Sequence, residues 1–326
     1  MKLSRRVCLA ALAGAALAGT AGPALAESFK MGLLVPGSVA EEGWNRIAYD
    51  ALLRVERELD ADVSYVELHE NPSAFENAFR NYASQGYDVV LGHGFQFQDA
   101  ALTVAADFPD TVFLISSSHV FDGNVIGLNT DSSEPFYLMG VIAAMTGTSA
   151  GLVGGLEIPP ITQSFEGFVN GARSVDPDYP IWQVYVGSFT DSTAAKEAAV
   201  GMIARGANIV VPNANAAGLG VVQAAREAGP DVQTFSVYSD YTEAAPENTL
   251  GVYVADYGQG IVRIVSQIKD GEFEASGNIV FGLKDTDVMT FSYNDHSARP
   301  VPEAIRRKVE EVKNAIIAGE IATRAE

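Results

Sequence analysis

Trp44-Asn45, at the head of an amphipathic stretch, pairs a flat indole face with an amide that both donates and accepts hydrogen bonds. That pair suits stacking on, and edge recognition of, a small heteroaromatic molecule. The plainer reading makes Trp44 a core residue and Asn45 an ordinary helix cap. Phe95 follows a glycine-flanked strand end, and Ser117, Tyr238 and Asp240 lie at further strand ends. Asn213 and Asn215 add two adaptable amides just after an apolar strand, and Asp256 follows another strand. For Phe95 the alternative is a buried loop residue, and for the asparagines it is loop formation. His93, alone between Gly92 and Gly94, is read as structural, and Trp182, inside a strand pattern, as core.

None of these residues assembles into a reactive set. The four histidines (His69, His93, His119 and His296) are scattered and lack the i, i+4 spacing of a helical zinc site. No Gly-x-Ser-x-Gly elbow presents a nucleophile. Gly151 to Gly155 lacks the Gly-x-Gly-x-x-Gly spacing that opens a phosphate-binding helix. Glu41-Glu42 precedes Gly43 in a loop and is read as solvated charge. Binding without catalysis, metal or cofactor is the expectation.

Short apolar runs alternating with helical periodicity must position these residues. Phe29 to Val35 reads as a buried strand closed by Pro36-Gly37, and Asn45 to Leu59 as a helix with apolar residues at 47, 48, 51, 52, 55 and 59. Val63 to Leu68, Asp88 to Gly92 and Val112 to Ile115 follow as strands, with helices opening at Asn71-Pro72-Ser73 and over Gln98 to Phe108. After Asp131 the scheme restarts. Helices are expected over Pro135 to Thr146, Thr162 to Val175, Thr193 to Arg205 and Gly218 to Ala228. Strands are expected at Gly151 to Gly155, Ile181 to Gly187, Ile209 to Val211, Val232 to Val237 and Leu250 to Val254. Near-continuous apolar strands between helices predict parallel sheets covered on both faces. No residue-level internal repeat is visible.

Length and composition fit that picture. Lys2, Arg5 and Arg6, an apolar Leu/Ala/Gly stretch and Ala24-Leu25-Ala26 form a cleavable export signal over residues 1–26; Ser4-Arg5-Arg6 leaves a twin-arginine route open. Cys8, the one cysteine, departs with it, so disulfides and thiolate chemistry drop out. About 300 residues remain, enough for two domains. The formal charge of −20 becomes more negative on cleavage, which excludes nucleic acid as a partner. With no linker between the halves, crossings are expected near Asn129–Asp131, near Val254–Asp256 and after about Lys284. One lobe then comprises 27–130 plus 256–284, the other 131–255 plus 285–326.

Several fragments in order carry a resemblance: Gly43-Trp44-Asn45, Gly94-Phe95, Tyr137-Leu138-Met139-Gly140, Gly151 to Gly155 followed by Pro159, Gly167-Phe168 and Gly171, Gly187-Ser188-Phe189 with Asp191, Gly218-Leu219-Gly220, and Asp270-Gly271. The chain resembles the basic membrane protein family of ABC-transporter solute-binding proteins, which includes purine-nucleoside receptors. The resemblance implies a type I periplasmic binding protein: two doubly wound parallel-sheet lobes joined by a three-crossing hinge, closing on a base stacked between aromatics. It also implies a periplasmic location and a membrane permease as partner, and a monomer is expected. Ser117 and Tyr238 stand where the receptors carry acidic residues, with Asp240 two residues on. Ala255 stands where they carry a lysine, and Val211 in place of a stacking phenylalanine. These departures leave the ligand open between a nucleoside, a free nucleobase and a small sugar. A module signalling to a membrane sensor is the alternative function, and a hydrolase on two α/β lobes a more remote one.

Overall fold

The computed structural model describes residues 28–40, 44–69 and 71–325. The expected export signal, Cys8, Glu41-Glu42-Gly43 and the Trp44 side chain lie outside the described residues. The first unit runs β1 (Lys30–Val35), α1 (Trp44–Leu59), β2 (Asp62–Glu67), α2 (Pro72–Ser84), β3 (Val89–Gly92), α3 (Gln98–Ala105), β4 (Val112–Ser116), the two-residue β5 (Phe121–Asp122) and β6 (Val125–Thr130). The second runs α4 (Ser133–Thr146), β7 (Ala150–Gly154), α5 (Pro159–Val175), β8 (Ile181–Tyr185), α6 (Ser192–Ala204), β9 (Ile209–Asn213), α7 (Gly218–Ala228), β10 (Gln233–Tyr238) and β11 (Thr249–Ala255). The chain then forms α8 (Tyr257–Lys269), β12 (Ile279–Phe281), β13 (Met289–Tyr293) and α9 (Glu303–Ile317).

Local chemistry explains most boundaries. Asn71 caps α2 by accepting from the Ser73 and Ala74 amides, and Pro72 takes the first helical position, where no N–H is needed. Helix α5 begins at Pro159, earlier than the expected Thr162, because Pro159-Pro160 fill that same permissive first turn. Strand β9 continues through Pro212 to Asn213, two residues past the expected end, because β7 pairs along its whole length.

Each half builds a sheet of the same design. Strand order is β12-β6-β4-β3-β1-β2 in one and β13-β11-β10-β9-β7-β8 in the other. All pairings are parallel except the edge contacts β5–β6 and β11–β13. Adjacent residues of β1 serve opposite faces. Leu33 and Val35 pack beneath α1 and α8, while Leu34 joins Phe79, Phe97 and Phe113 under α2 and α3. The second sheet is covered by α4, α5 and α9 on one face and by α6 and α7 on the other.

The structural repeat is carried by polar supports that share little sequence. Asp88, before β3, accepts the Lys30 amide at 2.7 Å, and Asn208, before β9, accepts the Thr148 amide at 2.9 Å. Asn124 donates to the Ala105, Phe108 and Thr111 carbonyls, and Asn248 to those of Ala225, Gly229 and Val232. Asp88 and Asn208 differ in type while Asn124 and Asn248 match, and so partial a correspondence hides the duplication from a residue-by-residue reading.

The chain passes between the sheets after β6, after β11 and between β12 and β13. The Asp131 amide donates to Phe281 O at 2.8 Å, and the Asp256 amide to Val288 O at 2.7 Å. The Leu283 amide donates to Glu134 Oε2 at 2.6 Å. Burial raises the Glu134 carboxyl above its ordinary value, the Leu283 N–H opposes that shift and Asp131 adds to it. A carboxyl raised on folding contributes stability that is complete below its unfolded value and is lost as pH climbs through the folded one. Glu134→Gln keeps an oxygen for Leu283 and cannot ionise. Its melting temperature should therefore gain on the wild type as pH rises above the ordinary glutamate value of about 4.3. Calorimetric scans from below that value upward check this, and parallel curves would contradict it.

Candidate ligand-binding site

In each sheet the strand order reverses direction once, between β1 and β3 and between β7 and β9. Open parallel sheets bind ligands beyond the carboxyl ends of their strands at such a reversal. The residues found there are polar or aromatic, and several are buried.

On the first sheet, His93 leaves β3 fully buried, its amide donating to Leu34 O at 2.8 Å. Its Nδ1 lies 3.1 Å from the Ser116 hydroxyl at the end of β4, and its ring is 6.4 Å from that of Tyr257. Burial pushes the Tyr257 phenol well above its ordinary value, with Ser116 opposing. Ser117 follows with φ +56°, a left-handed conformation uncommon outside glycine, which turns the chain sharply at the strand end. Phe95, two residues after His93, is 70% exposed.

On the second sheet, Tyr238 ends β10 in the same left-handed region, φ +65°. Its hydroxyl donates to Ser132 Oγ at 3.3 Å, and Ser132 lies 3.0 Å from the Tyr253 hydroxyl. The two phenol rings are 5.3 Å apart. Burial raises both phenols, and Ser132, Ser164 and Asn213 offset part of that effect at Tyr238. Asn213, opposite Gly154 in the β7–β9 register, is 1% exposed. Its side-chain amide lies near enough to Tyr238 to temper that phenol's shift, yet among the described residues neither of its atoms meets a partner at full hydrogen-bond distance and angle. Leaving such a group unpaired costs about 1–3 kcal/mol.

Of the residues singled out from sequence, the structure brings Asn213 and Tyr238 together, and sets Ser117 and Phe95 beside the His93 cluster. Asn45 is part-buried and donates to Ser38 O at 3.4 Å, in the loop between β1 and α1. Asn215 is exposed, with φ +48°, and opens the short turn before α7. Asp240 is exposed and accepts the Thr242 amide at 2.8 Å. Asp256 caps α8 through the Gln259 amide and accepts Arg54 Nη1 at 2.8 Å on both oxygens. Sequence reasoning missed Ser116, Ser132, Ser164, Tyr253 and Tyr257, and set His93 aside. The signal available for His93 was its place at a strand end between two glycines. Nothing local marked the serines, since Ser132 meets its two tyrosines across separations of 106 and 121 residues.

Both clusters adjoin the crossings. Ser132 follows the first crossing, and Tyr253 and Tyr257 flank the second. Together His93, Ser116, Tyr257, Asn213, Tyr238, Ser132 and Ser164 supply an amide, hydroxyls, phenols and an imidazole, with no carboxylate, lysine or arginine. Such a set can hydrogen-bond and stack on an uncharged molecule.

Comparison with known proteins bears on the family and the fold. The chain is 25% identical over 317 residues to a purine-binding protein of Brucella abortus, spanning 96% of this chain and 87% of that one. It is 27% identical over 304 residues to an ABC transporter nucleoside-binding protein of Lactococcus lactis, spanning 87% and 85%. An ABC transporter solute-binding protein of Conexibacter woesei superposes with a TM-score of 0.69 at 25% identity, covering 90% of this chain and 98% of that one. The family model described as ABC transporter substrate-binding protein, PnrA-like, matches residues 29–325, and the chain belongs to that family.

Proposed function

We propose that this protein is the exported, periplasmic receptor that captures an uncharged heteroaromatic solute, a purine nucleobase or nucleoside, and delivers it to the membrane permease of an importer. The hinge lies at the three crossings, dividing the chain into lobes of 27–130 plus 256–284 and 131–255 plus 285–326. Ligand contact with both lobes shifts the hinge toward closure by no more than its differential affinity for the two states. Trp44, Asn45, Phe95 and Ser117 contribute from the first lobe, and Asn213, Asn215, Tyr238 and Asp240 from the second. Asp256 stands at the crossing between them.

The observation carrying this reading is that the buried groups at the two strand-order reversals are uncharged hydrogen-bonding groups, while the charged residues assigned beside them, Asp240 and Asp256, are both acidic. A phosphate would bury a dianion there without a cation to meet it, so nucleotides are disfavoured. A thermal-shift screen of the mature protein against nucleobases, nucleosides, the matching 5′-phosphates and small sugars tests it. A ligand at 100 times its Kd should stabilise the protein by about 2.7 kcal/mol. Stabilisation by a base or nucleoside and none by its 5′-phosphate is the expected pattern. A response confined to sugars, or to the phosphates, would overturn it.

A further inference from the structure

We propose that Asn213 is the specificity-determining residue of this site, using both faces of its amide to read a ligand edge on which a donor stands beside an acceptor. The inference rests on the proposed function, and names which chemical edge the receptor selects: the lactam of a 6-oxopurine or the amidine of a 6-aminopurine.

Asn213 is placed as a reader should be. It ends β9 at the point where the order of the second sheet reverses, and its own carbonyl is occupied by the Gly155 amide at 3.0 Å. The backbone is therefore fixed while the side chain is left over. Its surroundings have already committed their protons: the Tyr238 hydroxyl donates to Ser132, and the Ser164 hydroxyl donates to Pro160 O at 2.7 Å. A buried primary amide offers two donors and an acceptor, a complement to a flat donor–acceptor edge.

The contrast with other asparagines that brace the fold sharpens the point. Asn124 and Asn248 each donate to three backbone carbonyls. Asn294 donates to the Pro246 and Thr249 carbonyls and accepts the His296 amide. This fold satisfies an amide wherever one serves the architecture. Asn213, more deeply buried than Asn124, Asn248 or Asn294, is the exception, and buried polar groups in folded proteins are otherwise paired almost without fail.

The test compares wild type with Asn213→Leu, which keeps the volume and removes the polar atoms. Calorimetric titration would use hypoxanthine, adenine and unsubstituted purine, with inosine and adenosine in parallel. Wild type should bind the 6-substituted compounds at least about tenfold more tightly than purine itself, and the variant should lose both that preference and about tenfold or more in affinity. The second readout is the melting temperature without ligand, which should stay level or rise in the variant because an unpaired group has been removed. Binding by the variant within about threefold of wild type would overturn the assignment. So would a variant that melts well below wild type without ligand, since the amide would then be structural whatever the ligand. Failure of every purine compound to bind wild type would instead defeat the proposed function, while the unliganded melting comparison would still judge Asn213.

Discussion

Gly171→Ala is expected to destabilise the second lobe by about 3 kcal/mol or more, with a fall in melting temperature of roughly 6–10 °C. A Cβ on Gly171 would stand 2.1 Å from the Tyr137 carbonyl oxygen on α4. The contact is with backbone, so no flexible side chain can give way. Gly140 on α4 meets the Phe168 carbonyl of α5 at the same 2.1 Å, and Gly167 meets that of Ser133 at 2.3 Å. The two helices therefore touch through their main chains along a row of glycines, and separating them would open the core formed by Phe136, Phe165 and Phe168. Because α4 and α5 also carry Ser132 at one entrance and Ser164 within the first turns, ligand affinity should fall with stability. Gly201→Ala is the control. Gly201 lies in α6 with nothing near its missing Cβ, so alanine there should stabilise by about 0.5–1 kcal/mol. Thermal unfolding of the two variants checks the pair. Equal melting temperatures would mean that α4 and α5 can slide apart without loss.

Asn248→Leu should cost about 3–4 kcal/mol, measured as a shift in urea midpoint with unchanged slope. The side chain is 3% exposed, and its Nδ2 holds the carbonyls of Ala225 at the end of α7, Gly229 in the turn, and Val232 before β10, at 3.2, 2.8 and 2.7 Å. Leucine matches its volume but leaves three acceptors facing an apolar group. Because one side chain organises a whole helix-to-strand connection, the effect should exceed that of a single lost hydrogen bond. Asn124→Leu, the counterpart in the first lobe, should show a loss of similar size. A change below about 1 kcal/mol in either variant would show that solvent reaches and satisfies these carbonyls.

How much was legible before the structure depends on the range of the interaction concerned. Helix α7, expected over Gly218 to Ala228, is found with those bounds because its apolar period and its flanking glycines are all local. The two-sheet, strand–helix design was legible for the same reason: the central strands β1, β3, β4, β7 and β9 carry their own burial on both faces. Helices α8 and α9 went unnamed although their apolar periodicity is present in the chain, and β5 is too short to leave a pattern. The internal duplication was invisible because Asp88 and Asn208, different residues, make the same kind of bond.

The sequence by itself determined the alternation of strands and helices, and with it the fold class, since hydrophobic burial is written residue by residue in the chain's period. It also put Asn213 and Tyr238 at strand ends. Only the tertiary structure decided that Tyr238 would turn its hydroxyl inward to Ser132, that His93 would pack between Ser116 and Tyr257, that Asp256 would be engaged by Arg54, and that Asn213 alone among the buried asparagines described here would have its amide unspent. Hydrogen bonds need particular atoms within about 3 Å at set angles, and the residues that meet here are distant along the chain. No local pattern encodes such a meeting; the packing of the two sheets and their crossings does.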